Sequence, residues 1–577
     1  MRIHWGLYFV LIDSREVLPG KTVRADICII GAGPVGIALA REFIGERLDV
    51  CLLEGGGIAF DAQTQELAAG ESEGHRIDLA RMRRRQFGGL SNAWNIHINN
   101  YTRMGVRHMP LDPIDFERRD WVPHSGWPFS RAQLDPFYVR AQHVCQAGPF
   151  DYSVEAWQDD APPRFAFPGH DLETSMFQFG PSGIFSNQYC AELELAANIA
   201  VYFNANVLEL ETDGAARKVT RARVAHASGQ EFRVAARTFV LATGGIENAR
   251  LLLASNKVAA AGLGNQNDVV GRFFMDHPLI RTGMLYPYQS SGFDRAALYD
   301  MRTVRDVSVM GKVALTDAAR RRERLLGIGG LLYPRPSHQH SPAHIALRTF
   351  RQMVRNRRVP SDMLSRVGHF ITGFDDLARG LYSAKVLRQP LFPSLSRGGW
   401  SLHAGNDRRY DKFELTSQTE QTPDPENRVR LSSARNRIGA QLPRLTNRWS
   451  NGDKDSIRRA QTIMVRDFAA GGIGRLELED MDHSVSMNAH HNMGTTRMHE
   501  DPKQGVVDPD CKVHGVANLY VAGGSVFPTG GYANPTLTMI ALALRLADTL
   551  KLHLPKVREE LVVPTGTRRH RRTRVRA

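Results

Sequence analysis

A glycine-rich turn near the start of the chain has the spacing that holds a dinucleotide. Gly31, Gly33 and Gly36 follow a short apolar run, residues 25–30, and precede a helix-like stretch. In this pattern the first glycine allows the turn, the second admits a pyrophosphate, and the third lets the helix pack against the strand. Glu54 ends a second apolar run at the distance expected for an acid that bonds a ribose hydroxyl. The motif predicts a bound dinucleotide without separating NAD from FAD, and a purely structural turn is the alternative.

Two later segments repeat the order strand, glycine turn and helix. Residues 239–242 read as a buried strand that runs into Thr243-Gly244 and a helix from Ile246. Residues 519–522 form a similar strand before Gly523-Gly524. The helix that follows is predicted to begin with Asn534 as its cap and Pro535 at its first position. Separated pieces of this kind indicate a nucleotide-binding domain assembled from distant parts of the chain.

Several blocks occur together in the order of a known family. They cover about 24–110, 200–280 and 415–550, and they include GRFFMDHP at 271–278, EQTPDPENRV at 420–429 and HHNMGTTRM at 490–498. On these blocks the chain resembles the glucose–methanol–choline (GMC) oxidoreductases, FAD enzymes that oxidise alcohols. Within them it is most similar to the branch of pyranose oxidase and the fructose- and gluconate-type dehydrogenases. Gly524 supports that branch, because the commoner branch carries an acidic residue there.

The resemblance implies an α/β fold of two interleaved parts. A Rossmann-like FAD-binding domain would be built from the non-contiguous segments 20–125, 195–285 and 490–555. A sheet-plus-helices substrate-binding domain would use 126–194 and 286–489. Residues 556–577 read as a basic, disordered tail.

The resemblance also assigns the catalytic pair. Removing a hydride from an alcohol requires a base for the hydroxyl proton, and histidine suits this role because its pKa lies near neutrality. His491 falls on the family's catalytic histidine, and Asn534 falls on its partner, which can hydrogen-bond the alkoxide but cannot act as a base. The positive end of the helix at Pro535 would face the flavin N1/O2 edge. Two alternatives stay open: His490 is the base, or Asn534 is only a helix cap.

The cofactor is expected to be FAD, and no metal is expected. Pyranose oxidases attach their flavin covalently through a histidine in the loop that corresponds to residues 85–95 of this chain. Ala93 occupies that position here, so we expect FAD to be bound non-covalently. The residues expected to contact FAD are Gly31, Gly33, Pro34, Val35, Gly36, Glu54, Gly88, Gly89, Ser91, Asn92, Ala93, Trp94, Asn95, Val207, Ala242, Thr243, Gly244, Asn248, Gly523, Gly524, Asn534, Pro535 and Thr536.

The implied reaction is oxidation of a CH–OH group of a sugar, glycoside or polyol to a carbonyl, with hydride transfer to flavin N5. Oxygen, a quinone or a separate electron-transfer protein could accept the electrons. A non-sugar alcohol as substrate, a flavin-containing lyase of the same fold and a non-catalytic carrier are the alternatives.

Charge and cysteine content bear on the partners and the location of the protein. The 577 residues carry a formal charge of +14, and residues 318–358 contribute ten arginines and one glutamate. Residues 343–356 read as an amphipathic basic helix, which is either a solvated surface or a site of peripheral membrane or partner contact. We find no nucleic-acid-binding motif. Five scattered cysteines without a C-x-x-C pair fit a reducing, cytoplasmic location.

Overall fold

The computed structural model describes residues 10–75, 77–98, 102–158, 164–289, 291–335, 382, 393–402, 406–481 and 485–554. The predicted amphipathic helix at 343–356 and the predicted tail at 556–577 lie outside the described residues. Within the described ranges, none of the helices combines the length and the apolar character that crossing a bilayer requires.

The first of the three sheets formed by the described residues has the strand pattern of a nucleotide-binding domain. Its central strands are parallel and buried on both faces, which explains why they read as continuous apolar runs. The order is β9-β10-β11-β2-β3-β8-β1, with β22 also pairing with β11. The strands are β1 (Leu11–Asp13), β2 (Thr22–Ile30), β3 (Val50–Leu53), β8 (Ile199–Phe203), β9 (Asn206–Thr212), β10 (Val219–Ala225), β11 (Glu231–Leu241) and β22 (Leu519–Val521).

The second sheet is mostly antiparallel and has eleven strands in the part of the chain that the structure describes. Its order is β16-β5-β6-β7-β14-β15-β17-β12-β20, with β13 beside β14 and β21 beside β12. The strands are β5 (Ile96–Ile98), β6 (Thr102–His108), β7 (Leu172–Pro181), β12 (Pro278–Pro287), β13 (Arg302–Val304), β14 (Val307–Leu315), β15 (Ile328–Arg335), β16 (Arg397–Gly398), β17 (Lys412–Thr419), β20 (Gly474–Leu478) and β21 (Val485–Asn488). A small third sheet joins β4 (Glu71–Gly74), β18 (Arg428–Arg435) and β19 (Gln441–Asn447).

Helices cover the sheets and bury their apolar sides. The longest begins with a capping box, in which Ser450 and Asp453 bond each other's backbone, and it packs Ala460, Met464 and Phe468 into the core of the second sheet. The helices are α1 (Pro34–Arg41), α2 (Ala62–Glu66), α3 (Pro113–Phe116), α4 (Arg131–Val144), α5 (Val154–Trp157), α6 (Tyr189–Glu194), α7 (Gly245–Ala254), α8 (Gly292–Arg295), α9 (Asp317–Glu323), α10 (Asn451–Ala470) and α11 (Thr536–His553).

The start of α11 corrects one prediction. The helix begins at Thr536, with Pro535 as its N-cap, and no side chain caps it. Asn534 is therefore not the helix cap, because its amide is turned toward Gln418 and His491 instead. The face predicted to be buried, which includes Leu537 and Leu544, is buried as expected.

The two large sheets share chain segments more closely than the predicted boundaries suggest. All strands of the first sheet except β1 fall within the ranges expected for the FAD-binding domain. The same ranges also supply β5, β6 and most of β12 to the second sheet. The division into domains stays a prediction, and the site lies where the shared segments meet.

Candidate active site

A cavity of about 570 Å³ opens at the carboxyl ends of the central strands of the first sheet. Ligands of α/β sheets bind at this edge because the loops after parallel strands converge there. The turns after β2, β3, β11 and β22 all contribute to its wall, and Gln418 of β17 and Arg107 of β6 extend the wall into the second sheet.

The three glycines of the first turn have the geometry that their spacing predicts. Gly31 has φ +106°, and a Cβ there would lie 2.6 Å from the carbonyl oxygen of Ala242. A Cβ on Gly36 would lie 1.9 Å from the carbonyl oxygen of Gly31, so α1 packs closely on the strand. A Cβ on Gly33 would meet nothing within 4 Å, and this residue borders the cavity. The cradle fits a pyrophosphate at the N-terminus of α1.

Glu54 lines the same cavity and is held by the backbone. Its carboxylate accepts hydrogen bonds from the N–H groups of Ala32, at 3.1 Å, and Gly56, at 2.8 Å. Burial raises its pKa, and these bonds act in the opposite direction. The side chain is fixed as an acceptor beside the turn, where a ribose hydroxyl could donate to it.

The structure separates the predicted cofactor residues into two groups. Those that line the cavity are Gly31, Gly33, Pro34, Val35, Glu54, Gly89, Ala93, Trp94, Val207, Ala242, Thr243, Gly244, Gly523, Gly524, Asn534, Pro535 and Thr536. Those that do not form its wall are Gly36, Gly88, Ser91, Asn92, Asn95 and Asn248.

Asn248 supports the cofactor turns from behind. Its amide oxygen accepts from the N–H of Thr243 at 2.9 Å, and its amide nitrogen donates to Ser525 Oγ at 2.9 Å. The side chain is fully buried. It therefore joins the turn after β11 to the turn after β22 rather than facing the cavity.

Sequence reasoning missed a basic group on the cavity wall. Arg83 and Arg250 each bond Glu247, and Arg85 bonds Asn206 at 2.8 Å. The Nε atom of Arg85 has no hydrogen-bond partner within the described ranges. The three guanidinium groups outnumber the carboxylates of Glu247 and Glu54 on this wall, and the excess positive charge suits a phosphate-bearing cofactor. The run of arginines at 83–85 was the available signal.

His491 and Asn534 meet at the other end of the cavity. His491 Nε2 lies 3.5 Å from Asn534 Nδ2, and both residues line the wall. Burial lowers the pKa of His491 well below its ordinary value, and the neighbouring His277 and Arg107 lower it further. The imidazole is therefore neutral near pH 7 and able to accept a proton.

His490 has different surroundings. It also borders the cavity, but it is more exposed than His491 and has a φ of +61°. Asn534 pairs with the ring of His491 and not with that of His490. The geometry favours His491 as the base.

Two buried residues that sequence reasoning left without a role surround His491. The Nδ1 atoms of His277 and His491 are 2.9 Å apart, and Asp276 Oδ1 accepts from the backbone N–H of His491 at 2.8 Å. Burial lowers the pKa of His277 to about 4 and raises that of Asp276 to about 7. Both lie in the block at 271–278, so the resemblance marked the segment but not its contact with His491.

Arg107 brings a guanidinium group to the cavity wall. It is 8% exposed, and its guanidinium lies 5.4 Å from the centroid of the Phe177 ring. Its Nε and Nη1 atoms have no hydrogen-bond partner in the part of the chain that the structure describes, although the Tyr333 hydroxyl is close. Desolvation lowers its pKa. Among the described side chains we find no group of His, Cys, Asp and Glu arranged to hold a metal ion.

Two family models match the segments that form the nucleotide cradle and the catalytic end of the cavity. The sequence model of the GMC oxidoreductase family matches residues 423–543, and that of the FAD dependent oxidoreductases matches residues 26–261.

Two curated relatives differ in how much they share with the chain. The fructose dehydrogenase large subunit of Gluconobacter japonicus is 28% identical over 60% of this chain and 53% of its own length. The chain thus matches about half of that relative. The 6'''-hydroxyparomomycin C oxidase of Streptomyces lividus is 24% identical over 93% of both chains.

A solved structure supports the fold. The formate oxidase of Aspergillus oryzae, at 17% identity, superimposes with a TM-score of 0.50 over 93% of this chain and 99% of its own. At this identity the likeness concerns the fold alone. The two family matches, together with the nucleotide cradle, lead to one conclusion: residues 26–261 match the FAD dependent oxidoreductases, and residues 423–543 match the GMC oxidoreductases.

Proposed function

We propose that the protein oxidises a CH–OH group of a sugar, glycoside or polyol to a carbonyl, with His491 as the base and Asn534 as the partner of the substrate oxygen. The observation that carries the proposal is the placement of His491 Nε2 and Asn534 Nδ2, 3.5 Å apart, on the wall of a cavity that begins at a dinucleotide cradle. Bound FAD supplies the acceptor for the two electrons and the hydrogen that leave carbon as hydride.

The protein's part is to handle the proton and the oxygen. His491 takes the hydroxyl proton at a ring nitrogen, and Asn534 donates a hydrogen bond to the oxygen as negative charge develops on it. The pKa of His491 is lowered by burial, so no proton has to leave the base before the reaction. The alcohol loses one proton to His491 and one hydride to the cofactor, and a C=O double bond forms.

A hydroxyl-rich substrate is supported by the names of the relatives. One is a fructose dehydrogenase and another is an oxidase of 6'''-hydroxyparomomycin C. The buried positive charge of Arg107 lies on the same cavity wall. We therefore expect a neutral or acidic sugar to be accepted more readily than one that carries an ammonium group near the reacting carbon.

The electron acceptor and the location belong to the same proposal. Oxygen, a quinone or a separate protein could reoxidise the cofactor, and the five cysteines are unpaired and buried, which supports a reducing, cytoplasmic location.

An anaerobic substrate screen tests the function. Neutral sugars, sugar acids, amino sugars, glycosides and simple alcohols are each mixed with the enzyme, and flavin absorbance near its visible maximum is followed. Bleaching by a sugar or polyol together with formation of a carbonyl product is the expected result. Turnover with flavin that stays oxidised would favour a lyase instead, and bleaching only by simple alcohols would remove the sugar assignment. Oxygen uptake and dye reduction then identify the acceptor.

A further inference from the structure

Gln418, at the carboxyl end of β17, lies behind both members of the catalytic pair. Its amide nitrogen is 2.6 Å from the carbonyl oxygen of Tyr532, 3.3 Å from Asn534 Oδ1 and 3.3 Å from His277 Nδ1. The side chain is 5% exposed, so water does not replace these contacts. Neither the family resemblance nor the proposed function assigns it a role.

The carbonyl of Tyr532 fixes which end of the Gln418 amide faces this group. A backbone carbonyl can only accept hydrogen bonds, so the atom 2.6 Å away must be the amide nitrogen. One of its two N–H groups is directed at this carbonyl. The other is shared between Asn534 Oδ1 and His277 Nδ1, which therefore both act as acceptors.

An acceptor at His277 Nδ1 determines the proton on His491. The two Nδ1 atoms are 2.9 Å apart, so one must donate to the other, and His277 Nδ1 already presents its lone pair. The proton of this bond belongs to His491 Nδ1. A neutral imidazole carries one N–H, so His491 Nε2 is left unprotonated.

The far side of His277 borders Gly530, and a Cβ on that residue would lie 3.5 Å from His277 Nε2. His277 Nε2 has no hydrogen-bond partner within the described ranges. With Nδ1 acting as the acceptor, the N–H of His277 is at Nε2, facing this backbone.

Asn534 is oriented by the same contact. Because its Oδ1 accepts from Gln418, its Nδ2 is turned toward His491 Nε2, 3.5 Å away, and toward the cavity. The Nδ2–H group of Asn534 and the lone pair of His491 Nε2 then face the same point in the cavity, where the substrate hydroxyl must lie.

We infer that Gln418 and His277 are positioning residues, which hold His491 as the Nδ1–H tautomer with a free Nε2 and hold Asn534 with its N–H groups toward the substrate. The inference rests on the proposed roles of His491 and Asn534. It adds that the Gln418 amide, which does not touch the reacting atoms, determines which ring nitrogen of His491 carries the proton and which way the Asn534 amide points.

The first test reverses the direction of the Gln418 contacts. Gln418→Glu keeps the shape, but an ionised carboxylate can only accept hydrogen bonds, which favours Nδ1–H on His277 and Nε2–H on His491. We expect the rate of anaerobic flavin reduction to fall by about 100-fold at pH 8, within the range of general base catalysis. It should recover in part as the pH falls and the introduced carboxyl regains a proton to donate. Rates within about threefold of wild type across this pH range would overturn the inference.

The matched control is Gln142→Glu. Gln142 lies in α4, is equally buried and bonds Gln178 at 2.7 Å, away from the cavity wall. This variant measures the effect of burying a carboxyl group away from the site. We expect it to lower the melting temperature, and we expect its rate of flavin reduction to follow the same pH dependence as wild type. Flavin content is measured for both variants.

The second test replaces His277. His277→Gln can still accept from His491 Nδ1 through its amide oxygen, whereas His277→Leu cannot. The glutamine variant should keep at least tenfold more activity than the leucine variant. Equal losses in two folded, flavin-loaded variants would contradict a positioning role.

The tautomer itself can be read without turnover. In the oxidised enzyme labelled with ¹⁵N-histidine, the His491 signals are identified by difference against His491→Ala. Wild type should show a protonated Nδ1 and an unprotonated Nε2, and Gln418→Glu should reverse them. Nε2–H in wild type would refute the inference. If His491→Ala were fully active, the proposed function would fail while the tautomer measurement kept its meaning.

Discussion

At the scale of single residues, Asn534 shows how contacts decide between two roles that its type allows. The residue precedes a proline and a helix, which are features typical of a cap. In the structure the helix starts two residues later, and the amide bonds Gln418 and faces His491. The function of the side chain follows from where these distant partners lie.

Replacing the two neighbouring histidines distinguishes their roles. His491→Ala should lower the rate of flavin reduction by about 10²–10⁴-fold, because the hydroxyl proton loses its acceptor. His490→Ala is the matched control and should keep most activity, since His490 is exposed and does not pair with Asn534. Stopped-flow measurements under anaerobic conditions give both rates. The reverse result would make His490 the base.

The charge of Arg107 should be visible in the pH profile. The base must be neutral to act, so activity is lost as pH falls through the pKa of His491, which burial, His277 and Arg107 place well below the ordinary histidine value. Arg107→Gln removes one of these causes, so the acid limb of flavin reduction should move to higher pH. An unchanged limb would show that Arg107 does not act on His491 electrostatically.

Ala93 bears on how the cofactor is attached. Its methyl group lies on the cavity wall at the position where the resemblance places a flavin-bonding histidine, and it has no atom that could form the bond. We expect acid precipitation to release all yellow colour into the supernatant. Colour that stays with the pellet would mean that another residue attaches the flavin.

At the scale of elements, the loop before α11 is held by residues that lie far from it in the sequence. Thr529 Oγ1 donates to the carbonyl oxygen of Asp115 at 2.7 Å, and Trp127 Nε1 donates to Thr529 Oγ1 at 3.1 Å. The hydroxyl of Tyr532 accepts from Lys312 of β14. Asn534 is thus positioned by contacts from several elements rather than by the helix it precedes.

Gly531 is the point where this loop is least tolerant of a side chain. It has φ +52°, and a Cβ there would lie 2.3 Å from Asp115 Oδ2. That carboxylate is fixed by Arg320 at 2.5 Å. Gly531→Ala should therefore lower both the melting temperature and the rate of flavin reduction, because the loop that carries Asn534 must shift.

Gly472→Ala provides the comparison for backbone strain alone. Gly472 has φ +63°, and a Cβ there would meet nothing within 4 Å. We expect a loss of about 1–2 kcal/mol in the free energy of unfolding and no change in the rate. If both alanine variants behaved alike, the contact with Asp115 would have no functional importance.

At the scale of the whole molecule, the basic excess is partly neutralised. Arg321 pairs with Glu117, Arg322 with Asp171, and Arg324 with Asp120, so the described part of the 318–358 segment forms ion pairs. Arg320 and Arg335 also pair, with Asp115 and Glu414. The other five arginines of that segment, at 348–358, and those of the tail lie outside the described residues. Contact of those regions with a membrane or partner stays a prediction.

The cavity wall is drawn from much of the chain, from Ile30 to Met539. A cofactor that fills it should stabilise the folded state by mass action, about 4 kcal/mol at a thousandfold excess over its Kd. We expect removal of FAD to lower the melting temperature, which titration with FAD restores. Riboflavin is the matched control, because it lacks the part that would reach Glu54 and Val207. If the apoprotein had the same melting temperature as the holoenzyme, the cavity would not bind the cofactor tightly.

Local patterns of residue types were enough to predict the nucleotide cradle, the main strands and helices beside it, and the catalytic candidates His491 and Asn534. Steric demands at Gly31 and Gly36 and the burial of parallel strands act over short stretches of chain, so their signals are local. The contacts of His277 with His491, 214 positions away, and of Gln418 with His277, 141 positions away, became visible only in the folded chain. Such contacts depend on sheet order and on the direction of each side chain, and neither is encoded in a local pattern of residue types.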